Sequence, residues 1–467
     1  MLRSALVILS GNAAASLLLL ARNLIVARLI PVADYGIAAT FAIAMAVVEM
    51  MSQLGLQQQI VQAKNGEDPR FQAALQGFQV LRGVIAGIAL FALAGPLADF
   101  MNVPQAAWAY QVMALVPVLN AFTHFDVHRL NRSMVFLPVI LTGAVPALLS
   151  VLAVWPLAMV YGDYRVMLYA IVVQALMTAV TSQLVARRPY RLVLDRAVMT
   201  QSLRFGWPLL VNGILLFGVF NGDKMIVGRE LGMETLAIFA MGFSLTLTPT
   251  LVMAKSAQNF FLPQISVVDR TTPEGAARFT HLSLVTMQVS LLNGAILVLA
   301  IILVGGPVVH LLLGTKYAAL LALMGPLAVM QALRVAKAGG AIVALADGRT
   351  GNAMQSNLAR VATLPLAWYV ITQGAGLGIV ILIATLGELF GFALSLYLVR
   401  RTSGVALLRM LGPVLFSGIF FALALVLPAL GSLPDWVLPV GLTLGIALTV
   451  LSMKDLLRYV MRRRADT

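Results

Sequence analysis

The sequence predicts an all-α polytopic membrane protein. It divides into about 14 transmembrane helices, arranged as two pseudo-symmetric six-helix bundles plus two C-terminal helices. Three observations carry this expectation. The first is composition: 60% of the 467 residues are hydrophobic, only 11% are charged, and the mean hydropathy is +0.94. Soluble domains carry about 25% charge, so the bilayer must be the solvent for most of this apolar surface. The second is segmentation into apolar runs long enough to span a bilayer. The third is an internal repeat.

The apolar runs fall at 5–30, 34–62, 71–98, 104–123, 134–160, 164–186, 204–230, 234–262, 276–304, 317–346, 353–373, 375–399, 405–430 and 434–458. The first has a signal-peptide look, with Arg3, an apolar stretch and then Ala13-Ala14-Ala15-Ser16. The stretch continues to Ile30, however, so it reads as a first membrane helix. Short polar, Pro or Gly-containing loops divide the other runs. The tightest is Gly374-Ala375-Gly376, which has no charge.

The repeat pairs Leu24-Ile25-Val26-Ala27-Arg28-Leu29 with Met225-Ile226-Val227-Gly228-Arg229-Glu230 at a constant offset of 201 residues. Ile37 then meets Ile238 and Ala39 meets Ala240. Each copy ends one long apolar run, turns and begins another. A unit this long is a duplicated domain rather than a solenoid repeat. In membrane proteins such duplication is the plan of transporters, with the substrate path between the halves. The predicted organisation is a first bundle over 1–186, a cytoplasmic linker over 187–203 and a second bundle over 204–400. Residues 401–467 add two helices and a basic cytoplasmic tail. With no charge in their middles, those two helices are expected as an appended pair facing lipid.

Charge placement orients the chain. Of 32 Lys and Arg, four lie in one set of loops (Arg28, Arg165, Arg229, Lys316) and six lie inside apolar runs, leaving 22 for the termini and the opposite loops. Those loops lie near 64–70, 124–133, 187–204, 269–278, 347–360 and 400–409. By the positive-inside rule they are cytoplasmic, as are both termini. Six helices then separate the two copies, so the repeat is parallel. The formal charge of +14 reflects loops facing anionic lipid rather than nucleic acid. His124, His128, Asp126, Arg129 and Arg132 form one such loop, expected as an amphipathic surface piece and not a metal site.

Nine charges lie deep within the apolar runs, away from their ends: Arg22, Arg82, Lys224, Lys255, Arg334, Lys337, Glu49, Asp223 and Glu388. A charge at the bilayer centre costs about 2.5–3.5 kcal/mol on insertion scales, so a hydrated cavity is the natural place for such residues. Polar side chains recur at helical spacing beside them. Glu49, Gln53 and Gln57 form one stripe, and Gln72, Gln76, Gln79 and Arg82 another. Asn12, Ser16 and Asn23 share a face, as do Asn212 and Asp223. Ser244, Thr248, Lys255 and Asn259 fall within about 60° at about 100° per residue. Both halves contribute, as a central cavity would require. Six cations against three acids favour an anionic substrate, with Lys and Arg as phosphate donors and Asn23 and Gln79 as partners for sugar hydroxyls.

Structural alternatives stand beside these readings. Arg28 and Arg229 fit helix-end electrostatics or snorkelling, and Arg22 also fits snorkelling. Asp223 and Lys224 fit a structural ion pair. Glu49 and Glu388 fit either a coupling proton or neutral structural carboxyls. The chain has no cysteine, which excludes thiolate metal sites and a cysteine nucleophile. It also has no phosphate-binding loop, dinucleotide fingerprint or Asp-x-Asp motif. No enzyme activity, cofactor or metal is expected, and any driving force would be an ion or substrate gradient.

The run Ala27-Arg28-Leu29-Ile30-Pro31-Val32-Ala33-Asp34-Tyr35-Gly36, followed by Gln53-Leu54-Gly55-Leu56, resembles the opening of the bacterial oligosaccharide flippases, the Wzx-type polysaccharide transporters of the MOP exporter superfamily. Phe205-Gly206-Trp207-Pro208, through Asp223-Lys224 to Arg229-Glu230-Leu231-Gly232, is similar to that family's seventh helix. Ile30 stands where the family often has Gly, and Gln53 where it often has an acid. The resemblance implies an inner-membrane flippase. It would carry a polyprenyl-diphosphate-linked oligosaccharide from the cytoplasmic to the periplasmic leaflet by alternating access, for O-antigen, exopolysaccharide or capsule biosynthesis. Substrate-binding candidates are Arg22, Asn23, Gln79, Arg82, Lys224, Lys255, Arg334 and Lys337. Coupling candidates are Glu49, Asp223 and Glu388, with H+ or Na+ as the ion. Membrane lipid, a polysaccharide polymerase and a chain-length regulator are candidate partners. A drug or cation antiporter of the same superfamily would need an acid-dominated cavity. A membrane polysaccharide polymerase would need a large periplasmic loop or a sugar-nucleotide motif.

Overall fold

A computed structural model describes residues 2–52, 54–349, 351–429, 434 and 437–465. Side chains are described from residue 13 onward, apart from 49, 51, 52, 208, 209, 427–429 and 462–465. Arg3, Asn12, Glu49, Gln53, Pro208, Arg462, Arg463 and Arg464 therefore lie outside what is described of the side chains.

Every regular element among the described residues is helical. In chain order they are α1 (Leu2–Leu29), α2 (Val32–Ser52), α3 (Leu56–Gln62), α4 (Pro69–Phe100), α5 (Ala107–Met113), α6 (Leu115–Ala121), α7 (Asp126–Arg132), α8 (Leu137–Val160) and α9 (Arg165–Val185). Then come α10 (Arg196–Ser266), α11 (Pro273–Leu313), α12 (Leu321–Ala346), α13 (Gly351–Val361), α14 (Leu364–Thr372), α15 (Leu377–Ser403), α16 (Leu411–Ala429), α17 (Val437–Ser452) and α18 (Lys454–Ala465). Apart from α7, which lies in the expected 124–133 loop, and the end of α18, they fall on the expected apolar runs in order. Eight helices among the described residues are long and apolar enough to cross a membrane by length and composition, or up to 10 if each of two bent pairs is one span. One helical stretch, α10, holds two expected runs. Gly232 breaks it at φ 84°, a backbone setting that only glycine adopts freely, at the turn the repeat predicts.

The chain forms two compact units, 1–240 and 241–467. In the first, α8 packs on α1 and α9, and α4 packs on α5 and α6. Phe71, Leu75, Phe78 and Phe125 gather with Leu54, Leu56 and Ile60 into one apolar core. The second copy of the repeat hairpin helps to close this unit. Arg229 Nη1 donates to Phe100 O at 2.8 Å, its guanidinium lies 4.6 Å from the Phe100 ring, and Asn102 Nδ2 donates to Arg229 O at 2.8 Å. Arg229 thus satisfies a carbonyl at the C-terminal end of α4, the helix-end role anticipated for it.

The 124–133 loop differs from expectation. His124 and Asp126 are buried, because the linker folds back over them. Arg187 N and Arg188 N donate to Asp126 Oδ2 at 2.7 and 3.2 Å, and Arg129 Nε donates to Asp126 Oδ1 at 2.6 Å. A short carboxylate meets two backbone N–H groups and one guanidinium, so the loop is an anchor rather than a solvated face.

In the second unit α12 packs against α11 and α15, and α13 lies on α15. The last helices also differ from expectation. Phe420, Phe421, Ala424 and Leu442 share a core with Ala295, Val298 and Ala328 of α11 and α12. Met453 and Leu456 join a second core with Leu284 and Met287. The Gln288 side chain accepts from Leu456 N at 2.9 Å. One face of the terminal segment is therefore an integral wall of this unit. Apolar content could not separate a lipid-facing helix from a packed one, because lipid is as apolar as a protein core.

A buried cation cluster as the candidate functional site

The densest polar constellation inside the membrane-type helices lies in the second unit. Successive three-residue steps on α12 bring Gln331, Arg334 and Lys337 to neighbouring positions on one side of the helix. Glu388 faces them from α15, and Asn357 and Arg360 from α13. Arg334 donates to Glu388 Oε1 through Nε at 2.9 Å and through Nη2 at 2.7 Å, and to Gln331 Oε1 through Nη1 at 3.0 Å. Lys337 Nζ donates to Glu388 Oε2 at 2.7 Å and to Asn357 Oδ1 at 2.9 Å. Arg360 Nε lies 3.8 Å from Glu388 Oε1. Glu388 and Arg360 are 0% exposed, and Arg334 and Lys337 are 8% and 6% exposed.

Among the described residues, three cations therefore share the Glu388 carboxylate in a nearly sealed site. Glu388 makes the arrangement affordable: without it, three cations would sit together in low dielectric. Neighbouring polar bonds hold the helices in register. Asn352 Nδ2 donates to Ser395 O at 3.2 Å, and Ser395 Oγ donates to Asn352 Oδ1 at 2.9 Å. The Arg334 guanidinium also lies 5.5 Å from the Phe243 ring centre. Chemically, the cluster is an anion receptor already occupied by an internal anion. Guanidinium and ammonium donors of this kind suit carboxylate or phosphate oxygens.

The other candidate residues are placed differently. Arg22 of α1 is buried in the first unit and, among the described residues, bonds only neutral acceptors, Ser150 Oγ at 3.1 Å and Gln174 Oε1 at 2.6 Å. Asn23, Arg82 and Lys224 are half-buried, and Asp223 is buried. Arg82 Nε is buried with no hydrogen-bond partner among the described residues. Gln79 Nε2 donates to Ala121 O at 3.0 Å, which makes it a cap on the end of α6. Lys255 is exposed on the second unit. The structure thus brings together Arg334, Lys337 and Glu388 within the second unit, while Lys255 is exposed on that unit and Arg22 and Gln79 belong to the first.

Arg360 is the participant that the sequence reading placed elsewhere. The charge pattern places it in the cytoplasmic loop at 347–360, yet the chain is already helical from Gly351 and the side chain is fully buried. A signal was present: residue 360 also lies inside the apolar run 353–373, with Asn357 one turn before it on the same face.

Comparison with known proteins agrees with this architecture. The model of a family described as "Polysaccharide biosynthesis protein" matches residues 25–322, from the first repeat copy through the second. No match is found among curated proteins. Among solved structures, the lipid II flippase MurJ in an inward closed conformation is similar with a TM-score of 0.71 and 12% identity, over 98% of this chain and 100% of that one. An inward-facing multidrug resistance MATE family transporter of the MOP superfamily gives a TM-score of 0.65 and 15% identity, over 84% of this chain and 96% of that one. An outward-facing MATE structure gives 0.57 and 16%, over 86% and 95%. At these identities the likeness is one of fold. With the family model covering well over half of its length, this multi-pass membrane chain belongs to the polysaccharide biosynthesis protein family.

Proposed function

We propose that the protein is an inner-membrane flippase, with both termini cytoplasmic, that moves a polyprenyl-diphosphate-linked oligosaccharide to the periplasmic leaflet by alternating access. The observation that carries this reading is the Arg334–Lys337–Arg360–Glu388 cluster, three cations around one carboxylate, with Arg334, Lys337 and Glu388 on helices apolar enough to span the bilayer and Arg360 on the short α13. A substrate diphosphate would compete with Glu388 for the donors of Arg334 and Lys337. Arg22, Asn23, Gln79, Arg82, Lys224 and Lys255 are proposed to act along the same path. Glu388, Glu49 and Asp223 are proposed as coupling candidates, with H+ or Na+ as the ion. The functional halves follow the sequence repeat, 1–186 and 204–400, joined by 187–203 and extended by 401–467. A polysaccharide polymerase and a chain-length regulator are the proposed pathway partners.

The antiporter reading would rest on a carboxylate free to exchange a cation. Both oxygens of Glu388 are instead engaged by cationic side chains. Depletion of the protein in its host, followed by mass spectrometry of extracted lipids, tests the proposal. Accumulation of complete polyprenyl-diphosphate-linked repeat units on the cytoplasmic side is the expected result. Complete units already facing the periplasm would indicate a polymerase. Unchanged lipids with altered resistance to cationic drugs would indicate an antiporter.

A further inference from the structure

The linker over 186–195 has its own built site. It is fastened to the first unit by the Asp126 contacts above and by three further bonds. His124 Nε2 meets Arg188 O at 3.0 Å, Gln76 Nε2 donates to Tyr190 Oη at 3.2 Å, and Val193 N donates to Ala73 O at 3.1 Å. Its backbone lies directly on α4: a Cβ added at Gly77 would sit 2.1 Å from Val193 O. Between the linker and the first turns of α4 is a cavity of about 240 Å³, lined among others by Pro69, Gln72, Gln76, His124, Arg188 and Arg191.

We propose that this cavity binds one phosphate group, supplied either by the headgroup of an anionic phospholipid or by inorganic phosphate. Three features of the cavity support this. Arg188 gives one N–H to Gln72 Oε1 at 3.0 Å and one to Glu67 Oε2 at 3.4 Å, so most of its five donors stay available. Arg191 makes no hydrogen bond or ion pair among the described residues and is exposed at the cavity mouth. His124 is spent internally as a neutral ring: Nδ1 accepts from Asp126 N at 3.0 Å while Nε2 donates to the Arg188 carbonyl. The opposing charge is Glu67, half exposed and already shared with Arg129 Nη1 at 3.2 Å. Arg188 and Arg191 are the charged side chains that line the cavity itself, with Glu67 and the α4 N-cap Asp68 as the acids beside it. Its volume suits one headgroup or one phosphate ion rather than an oligosaccharide. The site does not depend on the flippase reading; that reading only names the leaflet that would supply the lipid.

The test uses full-length protein in detergent. Binding of short-chain phosphatidylglycerol, phosphatidylcholine of equal chain length and inorganic phosphate is measured by native mass spectrometry and by the shift in unfolding temperature. Saturable binding of phosphatidylglycerol but not phosphatidylcholine is expected. Arg191→Gln should weaken it about tenfold, the loss expected for one charge-assisted hydrogen bond. Arg188→Gln should weaken it at least as much, and Arg204→Gln, in a separate groove of the same segment, should leave it unchanged. Saturable phosphate binding that competes with the lipid and shows the same Arg191 dependence identifies the free ion as ligand; binding of the lipid alone identifies the headgroup. Absence of saturable binding by both anions, equal binding of phosphatidylcholine, or full affinity in Arg191→Gln would overturn the proposal. Arg191 has no partner to lose, so that variant keeps the fold and the result remains readable.

Discussion

The two units bury cations in opposite ways. Arg22 in the first is a single charge among neutral oxygens, those of Ser150 and Gln174. Arg334, Lys337 and Arg360 in the second crowd one carboxylate, Glu388. A lone guanidinium is solvated by neutral dipoles, and no neighbouring charge depends on it. A crowded cluster depends on its counter-charge, because each cation would otherwise repel the others in low dielectric. The first arrangement is built to stay as it is. The second holds attraction for an anion that it satisfies from within, which is what a receptor able to exchange anions needs.

This contrast is sharpest at Glu388. Glu388→Gln should destabilise the second unit by about 3–5 kcal/mol, the cost of breaking a buried pair by removing one partner. The readout is the unfolding midpoint in detergent. Removing a cation should act on transport instead. Arg334→Ala and Lys337→Ala should each reduce surface polysaccharide about tenfold or more, with normal protein in the membrane, on the scale of one lost charge-assisted contact. Normal export by both variants would remove the cluster from the substrate path. Gly77→Ala pushes a Cβ into the Val193 carbonyl, where backbone cannot yield as a side-chain end can. It should cost about 1–3 kcal/mol and increase proteolysis between 187 and 195.

Arg22→Met is the counterpart of Glu388→Gln and should cost about 1 kcal/mol. It removes two hydrogen bonds, but Ser150 keeps its bond to Ala170 O at 2.7 Å and no charge is orphaned. If Arg22→Met proved as damaging as Glu388→Gln, the contrast between the units would fail. The smallest effect is at His124. Burial, against the pull of Asp126, holds its imidazole below the ordinary value of 6.5. The unfolded state therefore binds the proton first as pH falls. The stabilisation from neutral His124 is complete above about pH 6.5 and is lost as pH drops below that value. The unfolding midpoint should fall between pH 7 and 5, and His124→Gln should flatten that slope.

Legibility in the sequence followed physical cause. The helices, their order and the paired hairpins could be read because bilayer thickness and backbone hydrogen bonding force long apolar runs with polar breaks. Arg334, Lys337 and Glu388 stood out because a charge in such a run needs a partner. That they are one another's partners could not be read, since residues 337 and 388 lie on helices separated by others. Arg360 was misplaced because a short amphipathic helix with a buried arginine has the same composition as a basic loop. Asp126 and His124 looked like surface residues for a similar reason: nothing local announces that a segment some 60 residues later will cover them.

The sequence by itself determined the class of the molecule, its membrane segments, its duplication and the excess of cations inside it. These follow from composition and period, which act locally along the chain. Tertiary structure alone decided which charges meet. It gave Arg22 to neutral dipoles, gathered three cations on Glu388, seated the linker on α4 and made the last helices part of the second unit. The physical reason is range: hydropathy is a property of each segment, whereas the energy of a buried charge is set by whatever lies within a few ångströms of it after the chain has folded.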